Sequence, residues 1–225
     1  MARFKRIQVA LQMEQNGIIP VFYHPDPGIC YEVIKACYHG GLSVFEFTNR
    51  GDYAHEVFTE VNKRLSHELP EVILGTGSVI DAATASLYIQ LGTNFIVSPV
   101  LKEDTAIVCN RRKILWSPGC GSLSEISRAE ELGAEIVKIF PGAQVGGPGF
   151  VKAIKGPMPW TSIMPTGGVE PTEESLGAWF KAGVTCVGMG SKLITNDIIK
   201  ERHFGLLTEK VKQAVAILKT IRERK

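Results

Sequence analysis

The chain has 225 residues, a length that favours one large domain over two small ones, and 44% of them are hydrophobic. The 25 Lys and Arg residues nearly balance the 23 Asp and Glu residues, which leaves a formal net charge of +2. This composition argues against a disordered chain and against a strongly basic surface for nucleic acid. No apolar stretch is long enough to predict a membrane span. We therefore expect a single domain over residues 1–225.

The cysteines indicate a reducing environment. They are odd in number, scattered, and contain no C-x-x-C pair, so they favour neither a disulfide framework nor a zinc site. The five are Cys30, Cys37, Cys109, Cys120 and Cys186. We expect free thiols and a cytoplasmic protein.

Both ends of the chain predict helices. The first residues are cationic, as in a secretory signal, but polar residues interrupt the apolar stretch that such a signal needs. This segment instead predicts an amphipathic helix that ends at Gly17. Its partial apolar stripe consists of Phe4, Ile7, Val9, Leu11 and Met13. Residues 205–225 have apolar side chains at helical spacing and predict a closing helix.

Between these helices, eight apolar, β-branched runs predict strands. In chain order they are GIIPVFY from Gly17, SVFEF from Ser43, EVILGTG from Glu71, NFIVSP from Asn94, KILWSPG from Lys113, EIVKIFPG from Glu135, TSIMPTGG from Thr161 and VTCVGMGS from Val184. Segments with helical periodicity separate them, which predicts a parallel α/β sheet covered on both faces. Eight such units favour a closed (β/α)₈ TIM barrel. A doubly wound open sheet is the main alternative, since the number of strands alone does not prove closure.

Lys138 is the most informative residue, because it lies within an otherwise apolar strand. Side chains alternate across a strand, so Lys138 shares one face with Ile136 and Phe140. The adjacent apolar pair, Val137 and Ile139, would cover the helix-facing side, so Lys138 should point inward. Burial lowers the pKa of a lysine and supplies the free amine that attack on a carbonyl requires. The structural alternative is a lysine that snorkels from the strand end or pairs with a carboxylate.

Glu46 is a second ionisable residue in an apolar strand, on the same face as Val44 and Thr48. A structural ion pair with Lys138 would explain it without any activity. Both residues nevertheless come near the carboxyl ends of their strands, where barrel active sites are built. A desolvated carboxyl group there can transfer protons to and from a bound intermediate. Arg50, just beyond the strand, offers a guanidinium for a carboxylate or phosphate, although an exposed surface arginine is the simpler interpretation.

Glycine clusters follow the last two predicted strands, where barrels frequently bind phosphate. They are Thr166-Gly167-Gly168 and Gly188-Met189-Gly190-Ser191. Glycine lets the backbone approach a ligand closely, and N–H groups at such loops can hold an anion. A further cluster, Gly146-Gly147-Pro148-Gly149, predicts a flexible loop of architectural rather than catalytic importance. The histidines show no metal-binding spacing, and no nucleophile elbow, Walker motif or dinucleotide fingerprint occurs.

Six ordered motifs together resemble the 2-keto-3-deoxy-6-phosphogluconate (KDPG) / 4-hydroxy-2-oxoglutarate (KHG) aldolase family, class I aldolases on a trimeric (β/α)₈ barrel. The motifs are Phe45-Glu-Phe-Thr-Asn-Arg50, Gly75-Thr-Gly-Ser-Val79, Ser98-Pro99, Lys138-Ile-Phe-Pro141, Pro165-Thr-Gly-Gly168 and Gly188-Met-Gly-Ser191. The resemblance extends from Gly17 to beyond Ser191.

The resemblance implies a role for each matching residue. Lys138 matches the Schiff-base lysine, and Glu46 matches the general acid/base that acts with an ordered water. The groups around the pyruvyl moiety of the substrate match Arg50, Ser78, Pro99 and Phe140. The phosphate-binding segments match Thr166, Gly167, Gly168, Gly190 and Ser191. The resemblance also implies no metal or organic cofactor, a 2-keto-3-deoxy sugar acid phosphate as substrate, pyruvate and an aldehyde as products, and a homotrimer.

Alternative functions remain open at this point. Val100 stands where the family commonly has glycine, and Gly142-Ala-Gln-Val145 departs from the usual stretch, so the aldehyde half of the substrate is not defined. The substrate could instead be 4-hydroxy-2-oxoglutarate or the galactonate epimer. A phosphosugar isomerase or epimerase would not explain the lysine. A barrel that binds a phosphosugar without catalysis would need only a structural pair between Glu46 and Lys138.

Overall fold

The computed structural model describes residues 2–224 and, within them, contains nine strands and ten helices. The strands are β1 (Ile18–Phe22), β2 (Val44–Thr48), β3 (Ile73–Gly77), β4 (Phe95–Val97), β5 (Leu115–Ser117), β6 (Gly119–Cys120), β7 (Val137–Ile139), β8 (Ile163–Pro165) and β9 (Val187–Met189). The helices are α1 (Arg6–Asn16), α2 (Pro27–His39), α3 (Ala54–Glu68), α4 (Ala82–Gln90), α5 (Glu103–Arg112), α6 (Leu123–Glu131), α7 (Gly147–Lys155), α8 (Glu173–Ala182), α9 (Asn196–Lys200) and α10 (Phe204–Glu223).

Each observed strand overlaps one of the eight predicted runs, although β2 and β6 extend one residue beyond their runs, to Thr48 and Cys120. The fifth run forms two strands, because Pro118 separates β5 from β6 and has no N–H to donate to a ladder. Several helices begin where a side chain caps the backbone: Asp26 accepts hydrogen bonds from two N–H groups of α2, and Asp81 and Ser122 each accept one. As predicted, α1 ends at Gly17, and this glycine adopts a left-handed conformation.

Every strand pairing in the described chain is parallel. One sheet has the order β5-β4-β3-β2-β1-β9, and the other has the order β6-β7-β8. A parallel bridge between Thr166 and Gly188 links the end of β8 to β9. The last strand therefore lies beside the first, which is not the strand order of a doubly wound sheet. These ladders form a curled parallel sheet, and the helices after α1 pack on its outer face. A closed ring of eight strands stays a prediction, because the ladders form two separate sheets.

An apolar layer covers each face of this sheet. The outer layer packs the strands against the helices and contains Phe45, Phe47, Val137 and Ile139. The inner cluster lies on the opposite strand faces and comprises Val9, Met13, Ile19, Val44, Ile73, Phe95, Val97, Leu115, Ile136, Met164 and Cys186. Because Val9 and Met13 belong to this inner cluster, α1 packs against the interior of the sheet.

Some predictions about the helices need correction. The α1 stripe is narrower than predicted, because Ile7 and Leu11 are 66% and 60% exposed. The segment from Gly146 is not a free loop, since Gly147 begins α7 and Pro148 suits the first turn of a helix. The predicted closing helix corresponds to α10, and Lys225 and Met1 lie outside the described residues. None of the helices between residues 2 and 224 combines the length and apolar composition of a membrane span.

Candidate active site

Lys138 and Glu46 both point to the inner face of the sheet. On β7, Val137 and Ile139 pack toward the helices, so Lys138 projects inward with Ile136. On β2, alternation places Glu46 on the inner face with Val44. Lys138 is 4% exposed and Glu46 is 1% exposed. The orientation expected from the strand pattern is therefore confirmed for both residues.

The Lys138 amine and the Glu46 carboxylate lie close together, but they are too far apart for a direct hydrogen bond. Nζ of Lys138 lies 4.0 Å from Oε1 of Glu46. Among the described residues, Oε2 of Glu46 has no hydrogen-bond partner. Burial lowers the pKa of Lys138 below that of an ordinary lysine; the Glu46 charge opposes this shift and the Arg50 charge adds to it. The pair can thus supply a neutral amine beside a carboxyl group that is able to accept a proton.

Gly77, the last residue of β3, leaves the space in which the Glu46 carboxylate lies. A Cβ atom on Gly77 would overlap Oε1 of Glu46, so only glycine leaves room for the carboxylate in this position. The next residue, Ser78, has a φ of 60° and accepts a hydrogen bond of 3.0 Å from Nε of Arg50. The predicted residues of β2 and β3 therefore meet at the carboxyl ends of these two strands.

A cavity of about 440 Å³ opens at this edge of the sheet. Its wall includes seven of the predicted site residues: Arg50, Phe140, Thr166, Gly167, Gly168, Gly190 and Ser191. The bridge between Thr166 and Gly188 brings the two glycine clusters side by side. Gly167 and Gly168 have φ values of 95° and 78°, and a side chain on Gly168 would overlap Ala143. The cavity thus combines one guanidinium with two glycine-rich segments.

The other four predicted residues do not line the cavity but lie close to a lining residue or to the strand that carries Lys138. Nζ of Lys138 is 4.9 Å from the ring centroid of Phe140, which lines the cavity. Glu46 precedes the lining residue Thr48 by two positions on the same strand face. Ser78 is held by Arg50, as described above. The carbonyl of Pro99 packs against Gly119, which is the register partner of Lys138.

The cavity wall also contains polar residues that the sequence analysis did not identify as site residues: Tyr23, Thr48, Lys192 and Asn196. Thr48 could have been found, because it shares the Glu46 face of β2. Tyr23 directly follows β1, and Lys192 directly follows the last glycine cluster, so position at a strand end was the available signal. The hydroxyl of Thr166 is buried without a hydrogen-bond partner among the described residues, which leaves it available to a ligand.

Between residues 2 and 224, no group of three or more His, Cys, Asp or Glu side chains is placed to hold a metal ion. The charged groups of the site are instead Lys138, Glu46 and Arg50, and the cavity wall adds Lys192.

Comparisons with known proteins show the family to which this chain belongs. The family model of KDPG and KHG aldolase matches residues 9–210. The chain is 34% identical over 202 residues to the 2-dehydro-3-deoxy-phosphogluconate aldolase of Pseudoalteromonas atlantica, covering 90% of this chain and 91% of that protein. It is 36% identical over 165 residues to the enzyme of the same name from Pseudomonas aeruginosa, covering 73% of each chain.

A solved structure of KDPG aldolase from Legionella pneumophila, with pyruvate captured at low pH as a covalent carbinolamine intermediate, has a TM-score of 0.83 and 27% identity. The alignment covers 92% of this chain and 98% of that one. The family match spans most of the chain, and sequence and fold agree with it. The chain belongs to the KDPG and KHG aldolase family and is an aldolase, a carbon–carbon lyase.

Proposed function

We propose that the protein is a class I aldolase that reversibly cleaves 2-dehydro-3-deoxy-6-phosphogluconate to pyruvate and glyceraldehyde 3-phosphate. The observation that carries this proposal is the buried Lys138 amine, 4.0 Å from the Glu46 carboxylate beside the cavity. Relatives of this chain carry the corresponding name, and the Legionella protein holds pyruvate as a covalent carbinolamine. A carbinolamine forms when an amine adds to a ketone, which is the reaction that a neutral lysine performs.

The reaction begins at Lys138. Its Nζ attacks the C2 ketone of the substrate to give a carbinolamine, and loss of water gives a protonated imine. The imine withdraws electrons from the C3–C4 bond. Glu46, directly or through a water molecule, accepts the proton of the C4 hydroxyl while that bond breaks. Glyceraldehyde 3-phosphate leaves, and the three-carbon enamine stays attached to Lys138.

Glu46 then returns the proton. The enamine carbon takes it, and the resulting imine of pyruvate reacts with water, which releases pyruvate and regenerates the lysine amine. The net reaction therefore converts one substrate into two products without any change of redox state. Because all covalent steps use Lys138 and all proton transfers use Glu46, this proposal requires no metal or organic cofactor.

The remaining predicted residues orient the substrate. Arg50 and Ser78, joined by a hydrogen bond of 3.0 Å, would bind the carboxylate next to the ketone. Phe140 and Pro99 would pack against the three-carbon pyruvyl part. The backbone at Gly167, Gly168 and Gly190, with the hydroxyls of Thr166 and Ser191, would bind the phosphate at the far end of the substrate.

Borohydride trapping tests the covalent step. The enzyme is treated with pyruvate and borohydride, and the adduct is located by peptide mass mapping. We expect modification of Lys138, and an adduct on any other residue would refute the assignment. Lys138→Ala should abolish turnover. Glu46→Gln should lower kcat by about 10²- to 10⁴-fold, the range for a lost general acid or base.

The substrate assignment has two competitors within the family. They are 4-hydroxy-2-oxoglutarate and 2-dehydro-3-deoxy-6-phosphogalactonate. Comparison of kcat/KM across the three compounds distinguishes them. Val100, 41% exposed, is absent from the cavity wall among the described residues, so Val100→Gly should leave this ranking unchanged. A barrel that binds sugar phosphate without catalysis conflicts with membership of an aldolase family.

Three further features belong to the proposal. We infer a closed (β/α)₈ barrel over residues 1–225 as one domain, supported by the β1–β9 ladder and the Thr166–Gly188 bridge. We infer a homotrimer, supported by exposed apolar side chains on the neighbouring helices α4 (Leu87) and α5 (Ile107) and just before α4 (Ile80), and sedimentation equilibrium would test it. A cytoplasmic location is supported by five buried cysteines without disulfides.

A further inference from the structure

The mouth of the cavity carries an ion pair that the aldol chemistry does not use. Lys192 directly follows Ser191 and lines the cavity. Its Nζ lies 2.7 Å from Oε1 of Glu170, which comes two residues after Gly168. The ion pair therefore connects the two chain segments that are proposed to bind the phosphate.

We propose that Lys192 is a specificity-determining residue, whose ammonium exchanges Glu170 for the phosphate of the substrate. This inference rests on the proposed function, because it assigns the phosphate to the segments at Gly167, Gly168 and Ser191. In the absence of substrate, Glu170 holds the Lys192 side chain at the cavity mouth. When the phosphate enters, the same ammonium becomes its counter-ion.

The exposure of the pair makes this exchange feasible. The Lys192 and Glu170 side chains are 61% and 46% exposed. Exposed ion pairs contribute little to stability, so the cost of separating this one is small. A phosphate dianion offers a second negative charge and several acceptor oxygens to the ammonium. The long, flexible lysine stem allows its charge to move between the two acceptors.

The backbone on both sides of the pair is held in place. The carbonyl of Lys192 accepts a hydrogen bond of 2.7 Å from Nζ of Lys210. The N–H groups of Leu193 and Ile194 donate to the carbonyl of Gly190, and both side chains are buried. On the other side, the N–H of Glu170 donates to Oγ of Ser175 at 3.0 Å. The exchange therefore requires only side-chain rotation.

The charges of the cavity wall match a substrate with an anion at each end. Within the described residues that line it, the cationic side chains are Arg50 and Lys192, and none is acidic. Arg50 follows β2 and is near enough to Lys138 for their charges to interact, whereas Lys192 follows β9. A carboxylate at the first position and a phosphate at the second would neutralise both cations.

The test compares Lys192→Met, Glu170→Gln and a control, Lys181→Met, in the intact protein. Lys181 is an exposed lysine near the carboxyl end of α8, the opposite end of that helix from Glu170. Three quantities are measured: kcat/KM with 2-dehydro-3-deoxy-6-phosphogluconate, the rate of pyruvate trapping by borohydride, and the Kd for inorganic phosphate by calorimetry. The trapping reaction contains no phosphate, so it reports on the pyruvyl end of the site and is independent of phosphate binding.

Lys192→Met should lower kcat/KM for the phosphorylated substrate and weaken phosphate binding, each about tenfold, as expected for a lost charge-assisted contact. Pyruvate trapping should stay unchanged. Glu170→Gln should tighten phosphate binding by about two- to threefold, because it removes a competing carboxylate. Both effects should shrink as the salt concentration rises. Lys181→Met should match the unmodified protein in every measurement.

Unchanged phosphate binding in Lys192→Met, or an equal loss of trapping and of kcat/KM, would overturn the inference. Tighter phosphate binding in Lys192→Met would do the same. Failure of the unmodified protein to trap pyruvate would instead refute the proposed function. The phosphate Kd of the variants would still decide the role of Lys192 in that case, because calorimetry does not require turnover.

Discussion

Gly77 leaves the space that the carboxylate of Glu46 occupies. The two residues are on neighbouring strands, in which Glu46 pairs with Gly75 and Thr48 pairs with Gly77. A Cβ atom on Gly77 would overlap Oε1, Cδ and Cγ of Glu46. The position of the acid/base group relative to Lys138 therefore depends on a residue that carries no chemistry of its own.

Replacement of Gly77 by alanine should displace the Glu46 carboxylate and lower kcat by about 10²-fold, the order of loss expected when a reacting group moves by about 1 Å. Steady-state kinetics with the phosphorylated substrate measures this effect. The matched control is Gly177→Ala, because a Cβ atom on Gly177, in α8, meets no atom within 4 Å. The control should retain full activity and gain about 0.5–1 kcal/mol of stability. Equal activity in both variants would contradict the role of Gly77.

The pH dependence of pyruvate trapping should respond in opposite directions to two substitutions. Trapping requires the neutral Lys138 amine, so its rate should rise with pH through the pKa of Lys138. The Glu46 charge raises this pKa, so Glu46→Gln should move the acid limb to lower pH. The Arg50 charge lowers it, so Arg50→Met should move the limb to higher pH. A shift of both variants in the same direction would show that these charges do not control the Lys138 pKa.

The buried charges of Lys138 and Glu46 should lower the free energy of unfolding relative to an uncharged pair at the same positions. Lys138→Met leaves a buried carboxylate without its counter-ion and should lower the free energy of unfolding by about 3–5 kcal/mol. The double variant Lys138→Met/Glu46→Gln removes both charges, and should recover most of this loss or exceed the stability of the unmodified protein. Urea unfolding of the unmodified protein, Lys138→Met, Glu46→Gln and the double variant measures the coupling energy between the two residues. Strictly additive effects would indicate that the two groups do not interact.

The packing of α1 should depend on one of its faces only. Met13 is fully buried in the inner cluster, so Met13→Ala should lower the free energy of unfolding by about 2–5 kcal/mol. Leu11 lies on the same helix but is 60% exposed, so Leu11→Ala should change it by less than about 0.5 kcal/mol. Thermal unfolding of the two variants provides the comparison. A larger loss for Leu11→Ala would indicate that its side chain is covered by another molecule.

Local patterns were sufficient for much of the fold. The eight apolar runs predicted the strands, since the alternation of strand and helix depends on residues close together in the chain. The same alternation predicted that Lys138 and Glu46 point inward, because side chains on a strand repeat every two residues. The width of the α1 apolar face was less predictable, since both faces contain apolar residues and only tertiary packing selects Val9 and Met13.

The sequence by itself determined which residues could carry the chemistry: a lysine and a glutamate on apolar strands, an arginine at a strand end and two late glycine clusters. Only the tertiary structure decided their distances, the space at Gly77, the cavity residue Asn196, and the ion pair between Lys192 and Glu170. The reason is physical. Residue type and strand alternation are local properties, whereas a 4.0 Å approach between β2 and β7 depends on how distant segments pack.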